Sequence, residues 1–204
     1  MSHIAFNAER HEYTVDGRAF DSVTQILSGA GLIETEWRSE AAMARGRAVH
    51  VATHYLDEDD LDPQWMETSP FAGYVRAWER FKSETQFTPE LIEHRVFNAK
   101  LGYCGTLDRT GSFAGNPVRA LADIKTGPPE TWHRIQTAAY AACFEKPAAF
   151  RRMTIHLQRD GNYFIKEYHP KDFAETMNVF HAALIINQER KGNHVSSRSD
   201  ASAA

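Results

Sequence analysis

Two carboxylates and a lysine on neighbouring stretches of chain, Asp108, Asp123 and Lys125, are the residues best suited to chemistry. Asp123 and Lys125 are two apart in an alternating apolar run, so both side chains leave the same face of a strand, together with Arg119 and Leu121; Val118, Ala120, Ala122 and Ile124 leave the other. If Gly115-Asn116 is a two-residue turn, Ala114 pairs with Pro117 and Asp108 lies directly across from Asp123, provided no bulge intervenes. Like charges opposed on a sheet repel, and two adjacent carboxylates resist joint ionisation unless something cationic separates them. A hard divalent ion meets that need with two carboxylates and a backbone carbonyl, that of Ile124, while keeping waters. Lys125 then orients water and counters charge on a phosphate. The chemistry such a set suits is phosphodiester hydrolysis; the structural alternative is a pair of strand carboxylates in salt bridges with Lys125 and Arg109.

Strands and helices must deliver those groups. Alternation and turn residues predict strands over Leu91 to Phe97, Tyr103 to Phe113 and Val118 to Lys125. A helix follows, with Pro128 and Pro129 in its first turn and Trp132, Ile135, Ala139 and Ala142 on its apolar side. A hairpin spans 151–158 and 163–168 around the turn at 159–162, and an amphipathic helix spans 171–189. Upstream, Ile4 to Phe6 and Tyr13 to Val15 form a hairpin and Ser22 to Gly29 a short helix. Helical spacing covers Trp37 to Leu56 and Pro70 to Glu84. The acidic run Asp57, Glu58, Asp59, Asp60 and Asp62 reads with Pro63 as an exposed connection.

Inside the first long helix, Gly46 precedes His50 by one turn. Glycine there costs about 1 kcal/mol relative to alanine, which points to close packing or access beside a histidine able to bind metal. His54 is one turn further, but no third ligand with zinc spacing accompanies the pair. Gln136 and Tyr140, at i and i+4, form a polar stripe on the helix after the carboxylates, suited to a DNA backbone.

The 204 residues are 42% hydrophobic and 25% charged, the composition of a globular protein with one core. The expected organisation is one domain over 1–190, with 1–30 packed on its core, and a disordered tail over 191–204. No apolar run is long enough for a membrane span or secretory signal, so a cytoplasmic location is expected. Two cysteines, Cys104 and Cys143, are too few for a four-thiolate cluster and read as small buried residues. The net charge is −4, but five of the 27 acids lie in the one run, leaving 23 basic against 22 acidic residues elsewhere. Charge therefore neither excludes nor supports a nucleic-acid partner.

In order and spacing, Gly46 to His50, Glu93, Gly105 to Asp108, Asp123 to Gly127 and Gln136 to Tyr140 resemble the RecB-like branch of the PD-(D/E)XK nuclease superfamily. The stretch from Asp21 to Leu27 is similar to the start of phage-type exonucleases in that branch. The resemblance covers roughly residues 4 to 170. It implies an α/β (α+β) restriction-endonuclease-like core, a mixed sheet flanked by helices in the order helix, three antiparallel strands, helix, strand. It also implies His50, Asp108, Asp123 and the Ile124 carbonyl as ligands for magnesium or manganese, one ion or two. Lys125 would assist the water, Gln136 and Tyr140 would support the site or the DNA, Arg47 and Thr126 would contact substrate, and Glu93 would stand behind the ligands.

Leucine at 107 replaces the usual proline of the motif, as is common in this branch, and the cysteines of the iron-sulfur members are absent. The resemblance thus favours a cluster-free exonuclease of phage or bacterial recombination and repair, acting on DNA, including single strands, and working with a recombination partner protein. A catalytically silent DNA-binding or assembly module and a structure-specific endonuclease remain alternatives. Oligomeric state is left open.

Overall fold

A computed structural model describes residues 3–33 and 39–201. Strands β1 (Ile4–Asn7), β2 (Glu12–Val15) and β3 (Arg18–Phe20) form an antiparallel meander. The expected hairpin thus has a third strand, too short to show an alternation of its own. Helix α1 (Val23–Gly29) begins with a capping box: Ser22 Oγ accepts from the Gln25 N–H, and Gln25 Oε1 accepts from the Ser22 N–H. Helix α2 (Glu40–Asp57) is capped by Ser39; the expected start at Trp37 lies outside the described residues.

The acidic run is not simply an exposed loop. Asp62 caps a short helix, α3 (Pro63–Thr68), accepting from the Gln64 N–H, with Pro63 at the first-turn position that tolerates a missing N–H. Helix α4 (Ala72–Thr85) follows.

Five strands make the main sheet: β4 (Phe87–Asn98), β5 (Tyr103–Phe113), β6 (Asn116–Lys125), β7 (Arg151–Leu157) and β8 (Tyr163–Tyr168), hydrogen-bonded in that order. All neighbours are antiparallel except β6 and β7, which run parallel because helix α5 (His133–Ala141) carries the chain back between them. Helix α5 starts later than the sequence suggests. Pro129 disfavours helical geometry at the residue before it, so both prolines stay in the preceding loop. Helix α6 (Phe173–Ala201) closes the chain; its backbone stays helical past Lys191, where composition suggests disorder, since extending an existing helix needs no new nucleus.

Helices cover both faces of the sheet. Val49 of α2 and Tyr74, Ala77, Trp78 and Phe81 of α4 pack on Ala120, Ala122, Ile124, Met153 and Ile155. On the opposite face Leu107 and Leu121 meet Ile135, Ala138 and Ala139 of α5, Phe180 of α6 and Ile26 of α1. The architecture is therefore a mixed five-stranded sheet flanked by helices, the expected α/β class. No helix among the described residues is long and apolar enough to cross a membrane.

The β5–β6 turn differs from expectation. Phe113 pairs with Asn116, so Ala114-Gly115 form the turn, with Gly115 at φ +74. An irregularity between Gly111 and Phe113 then shifts the pairing, and Gly111 meets Ala120, Thr110 meets Leu121 and Arg109 meets Ala122. The register at the far end is the one a Gly115-Asn116 turn would have given.

Sheet and α2 are tied together by a buried ion pair. The Asp57 side chain, at the end of α2, is 0% exposed and accepts from Arg109 Nε at 2.6 Å, Lys82 Nζ at 2.5 Å and Trp78 Nε1 at 2.9 Å. Arg109, also 0% exposed, donates further to the Asp108 carbonyl at 2.7 Å and Thr53 Oγ1 at 3.3 Å. Removing one partner strands a charge where water cannot reach it. Asp57→Ala should therefore lower unfolding free energy by about 3–5 kcal/mol, read from urea denaturation; a loss under about 1 kcal/mol would mean the network is not structural.

Candidate active site

Three carboxylates share one row across the sheet. Ile92 pairs with Arg109 and His94 with Leu107, which brackets Glu93 opposite Asp108; Asp108 is one residue beyond the Arg109–Ala122 pair, beside Asp123. Glu93 and Asp108 are reached by His50 of α2, whereas Asp123 meets Lys125, which is held from the α5 side. Glu93 holds its place with φ +45, a left-handed conformation disfavoured for a side chain with a Cβ and found disproportionately at functional sites.

Helix α2 brings His50 over this row. Its Nδ1 lies 3.5 Å from Glu93 Oε1 and 3.6 Å from Asp108 Oδ1. Ligand atoms of His50, Glu93 and Asp108 all fall within 4.8 Å of one another. Two ligands about 2.1 Å from a shared ion are separated by at most about 4.2 Å, so modest side-chain rotation suffices to close the set. His54, in contrast, points to Glu58, with Nε2 3.0 Å from Oε2.

Asp123 is the most constrained of the four. It is 1% exposed, Oδ1 has no hydrogen-bond donor, and the one partner of Oδ2 is Lys125 Nζ at 2.5 Å. Burial pushes its pKa up to about 6, against the lowering effect of Lys125 and with Asp108 adding to the rise. Burial also raises Asp108, despite the opposing charge of His50 and the Ile124 N–H donated to its Oδ2 at 2.6 Å. Burial would lower His50, but Asp108 and Glu93 outweigh it and raise that imidazole to about 9. For Glu93 the upward push of burial loses to His50 and Arg109, whose Nη1 is 3.1 Å from Oε1. An orphaned buried carboxylate beside two others and a histidine is a donor set of hard oxygens plus one imidazole, and it fits a divalent cation.

Lys125 is held from the other side. Gln136 Oε1 accepts from its Nζ at 3.0 Å, and Gln136 Nε2 donates to the Tyr140 hydroxyl at 3.1 Å. The expected polar stripe on α5 is thus buried, Gln136 at 5% and Tyr140 at 4% exposure, and faces the lysine rather than solvent. Gly105 makes room for it: a Cβ there would meet Tyr140 Cε1 at 2.5 Å.

A cleft of about 350 Å³ opens between α2 and the end of β6, lined by Arg45, Gly46, His50, Lys125, Thr126 and Trp132 among others. Ile124 also lines it. Thr126 Oγ1 accepts from Arg45 Nε at 3.3 Å. Arg47 is exposed on α2 and does not line this cleft. Helical spacing favours Arg47, three residues from His50, so no sequence signal pointed to Arg45.

Glu93, expected behind the ligands, stands in the cluster with His50 and Asp108; with Asn98 paired to Tyr103, counting back along the β4–β5 hairpin puts it opposite Asp108. Two other participants escaped sequence reasoning. Asp57 lies two helical turns after His50, a spacing that places a charge on the same inward face. His156 pairs with Lys125 across β6 and β7, its Nδ1 2.7 Å from the Gly127 carbonyl oxygen and its Nε2 2.9 Å from Thr154 Oγ1. It steadies the loop after Lys125. Only the parallel register reveals it.

No family model matches the chain, and no curated protein does. Among solved structures, a candidate exonuclease from Eubacterium rectale aligns with TM-score 0.52 and 11% identity over 83% of this chain and 82% of that one. An alkaline exonuclease from Laribacter hongkongensis aligns with TM-score 0.39 and 15% identity over 91% of this chain and 95% of its own. The first likeness shows a shared fold, consistent with the five-stranded mixed sheet and its flanking helices.

With its pKa at about 9, His50 is protonated at neutral pH and must become neutral to bind a metal. Manganese binding near neutral pH should therefore release about one proton, and affinity should climb with pH until His50 has titrated. Calorimetry in two buffers of different ionisation enthalpy reads the proton directly. Equal heats in both buffers would mean that His50 does not ligate.

Proposed function

We propose that this chain is a divalent-metal-dependent deoxyribonuclease of the RecB-like PD-(D/E)XK type, an exonuclease without an iron-sulfur cluster that serves phage or bacterial DNA recombination and repair in the cytoplasm. One observation carries this reading: Asp123, buried with Oδ1 lacking any hydrogen bond and Oδ2 met only by Lys125, sits between Lys125 and the His50–Glu93–Asp108 group. A purely structural carboxylate so deeply buried would be expected to have its hydrogen bonds made within the protein.

His50, Glu93, Asp108, Asp123 and the Ile124 carbonyl would hold magnesium or manganese. When bound, such an ion acts as a Lewis acid on the phosphate and makes water a nucleophile at neutral pH. Lys125 keeps an ammonium proton toward the phosphate, and Gln136 fixes the direction in which it points. Tyr140, wedged on Gly105, keeps Gln136 from turning away. Arg45 and Thr126 bind the phosphate chain along the cleft, in place of the Arg47 contact implied by the resemblance. Trp132, with Lys125 Nζ 5.2 Å from its ring centroid, adds an apolar wall on the same side.

Incubation with end-labelled linear single- and double-stranded DNA and with closed circles, in magnesium, manganese or EDTA, tests this. Digestion of linear DNA, sparing of circles and inhibition by EDTA are expected. Asp123→Asn and Lys125→Ala should each lower the rate by about 10²–10³-fold or more, the usual effect of losing one transition-state contact. DNA bound but left intact under every condition would reduce the protein to a silent binding module.

A further inference from the structure

Two depressions besides the cleft reach the metal-type cluster. One is shared by His50 and Glu93 with the exposed face of α2. The other, about 390 Å³, runs from Glu93 toward the N-terminal meander and is lined there by Phe6, His11, Arg95, Ser22 and Thr24. A small phosphate ester would need only the cleft. A polynucleotide passing the cluster would continue into the meander groove.

The walls of that groove are unusual for a sheet edge. His11 is exposed with φ +49, which turns its ring edge-on to Phe6, centroids 5.3 Å apart at 90°. Phe6 in turn packs on Tyr13 at 4.4 Å, and the Arg95 guanidinium lies 5.9 Å from the Phe6 centroid. The assembly is anchored: Gln25, the capping-box residue of α1, donates from Nε2 to the His11 carbonyl at 3.1 Å, and the Tyr13 hydroxyl bonds Thr106 Oγ1 at 2.8 Å on β5. Ser22 and Thr24 hydroxyls, 3.2 Å apart, line the groove below the rings. Planar rings, a guanidinium and paired hydroxyls match an unstacked nucleobase, whose face stacks and whose edge takes hydrogen bonds. Paired bases in a duplex hide those faces from any groove.

We propose that the meander groove is a nucleobase subsite, in which the exposed His11 ring and the Arg95 guanidinium take one base of single-stranded DNA beside the nucleotide being cut, with Phe6, set edge-on to His11, as the supporting wall. The identity of the strand rests on the nuclease reading above; the stacking does not. The subsite makes unpaired DNA the substrate form and the meander part of the binding surface.

Single-stranded oligonucleotides carrying 2-aminopurine at successive positions, bound in EDTA or calcium so that no cleavage intervenes, report stacking by fluorescence quenching. One position should be strongly quenched on the full chain. In His11→Ala and in His11→Ala/Arg95→Ala that quenching should fall away and the dissociation constant rise roughly 5- to 150-fold, the range for loss of a base–aromatic stack. Both side chains are exposed, and circular dichroism confirms that the variants are folded. Phe6→Ala serves as a third variant, read only if its melting curve matches. Unchanged quenching and affinity in the folded variants would overturn the subsite, as would failure of the parent protein to bind single strands. Quenched binding without cleavage in magnesium or manganese would leave the subsite standing and remove the nuclease.

Discussion

The row of Glu93, Asp108 and Asp123 is the constraint on which everything else depends. Three carboxylates side by side on adjacent strands repel, and burial raises the cost of charging each one. Each is therefore given a different kind of relief. Glu93 meets Arg109, Asp108 accepts a backbone N–H from Ile124, Asp123 faces Lys125, and His50 stands over the first two. These partners do not fully compensate the row, since Asp123 keeps a raised pKa and its Oδ1 makes no hydrogen bond. A remaining deficit of positive charge is what a cation site requires before its cation arrives.

Much of the surrounding structure makes that arrangement hold its shape. Arg109 could not stay buried beside Glu93 without Asp57, and Asp57 reaches it only because α2 ends where it does. The same helix delivers His50 two turns earlier. One buried ion pair thus fixes both the height of the helix above the sheet and the orientation of the histidine on it. On the far face Tyr140 fills the space Gly105 leaves open, so α5 can approach closely enough for Gln136 to reach Lys125. Replacing that glycine would push α5 outward without touching a charged group.

Sequence reading recovered the elements that carry period and punctuation: the three-stranded run, the two long helices and the final hairpin. It also recovered the β5–β6 register beside the acids, where Arg109 meets Ala122, and the placing of Asp123 and Lys125 on one strand. It missed what depends on contacts between distant segments. Asp57 looked like one of five solvated acids because its partner is 52 residues away. Gln136 and Tyr140 looked like a surface stripe because an i, i+4 spacing says which residues share a face, not which way the face points. Glu93 was named but set behind the ligands, and its place among them was within reach, since the register argument used for one hairpin applies equally to its neighbour. Arg45 was not, because helix geometry alone favours Arg47.

The β5–β6 register shows why the acids align although the turn was misread. The turn falls one residue earlier than Gly115-Asn116, and taken alone it would move Asp123 away from its position opposite Asp108. The irregularity beyond Gly111 restores the alignment. The mismatch is two residues, because the Phe113–Asn116 pairing continued unchanged would set Asp108 against Leu121, and a two-residue shift leaves Leu121 on the α5 side and Ala120 and Ala122 on the α4 side. Burial of the two faces is therefore compatible with either register, and the strand pair takes up the mismatch as a bulge in the exposed end of the hairpin. Because the pairing is reset beyond Gly111, the site does not take its alignment from its nearest turn. The positions of Asp108 and Asp123 are thereby insulated from the least constrained part of the strand pair.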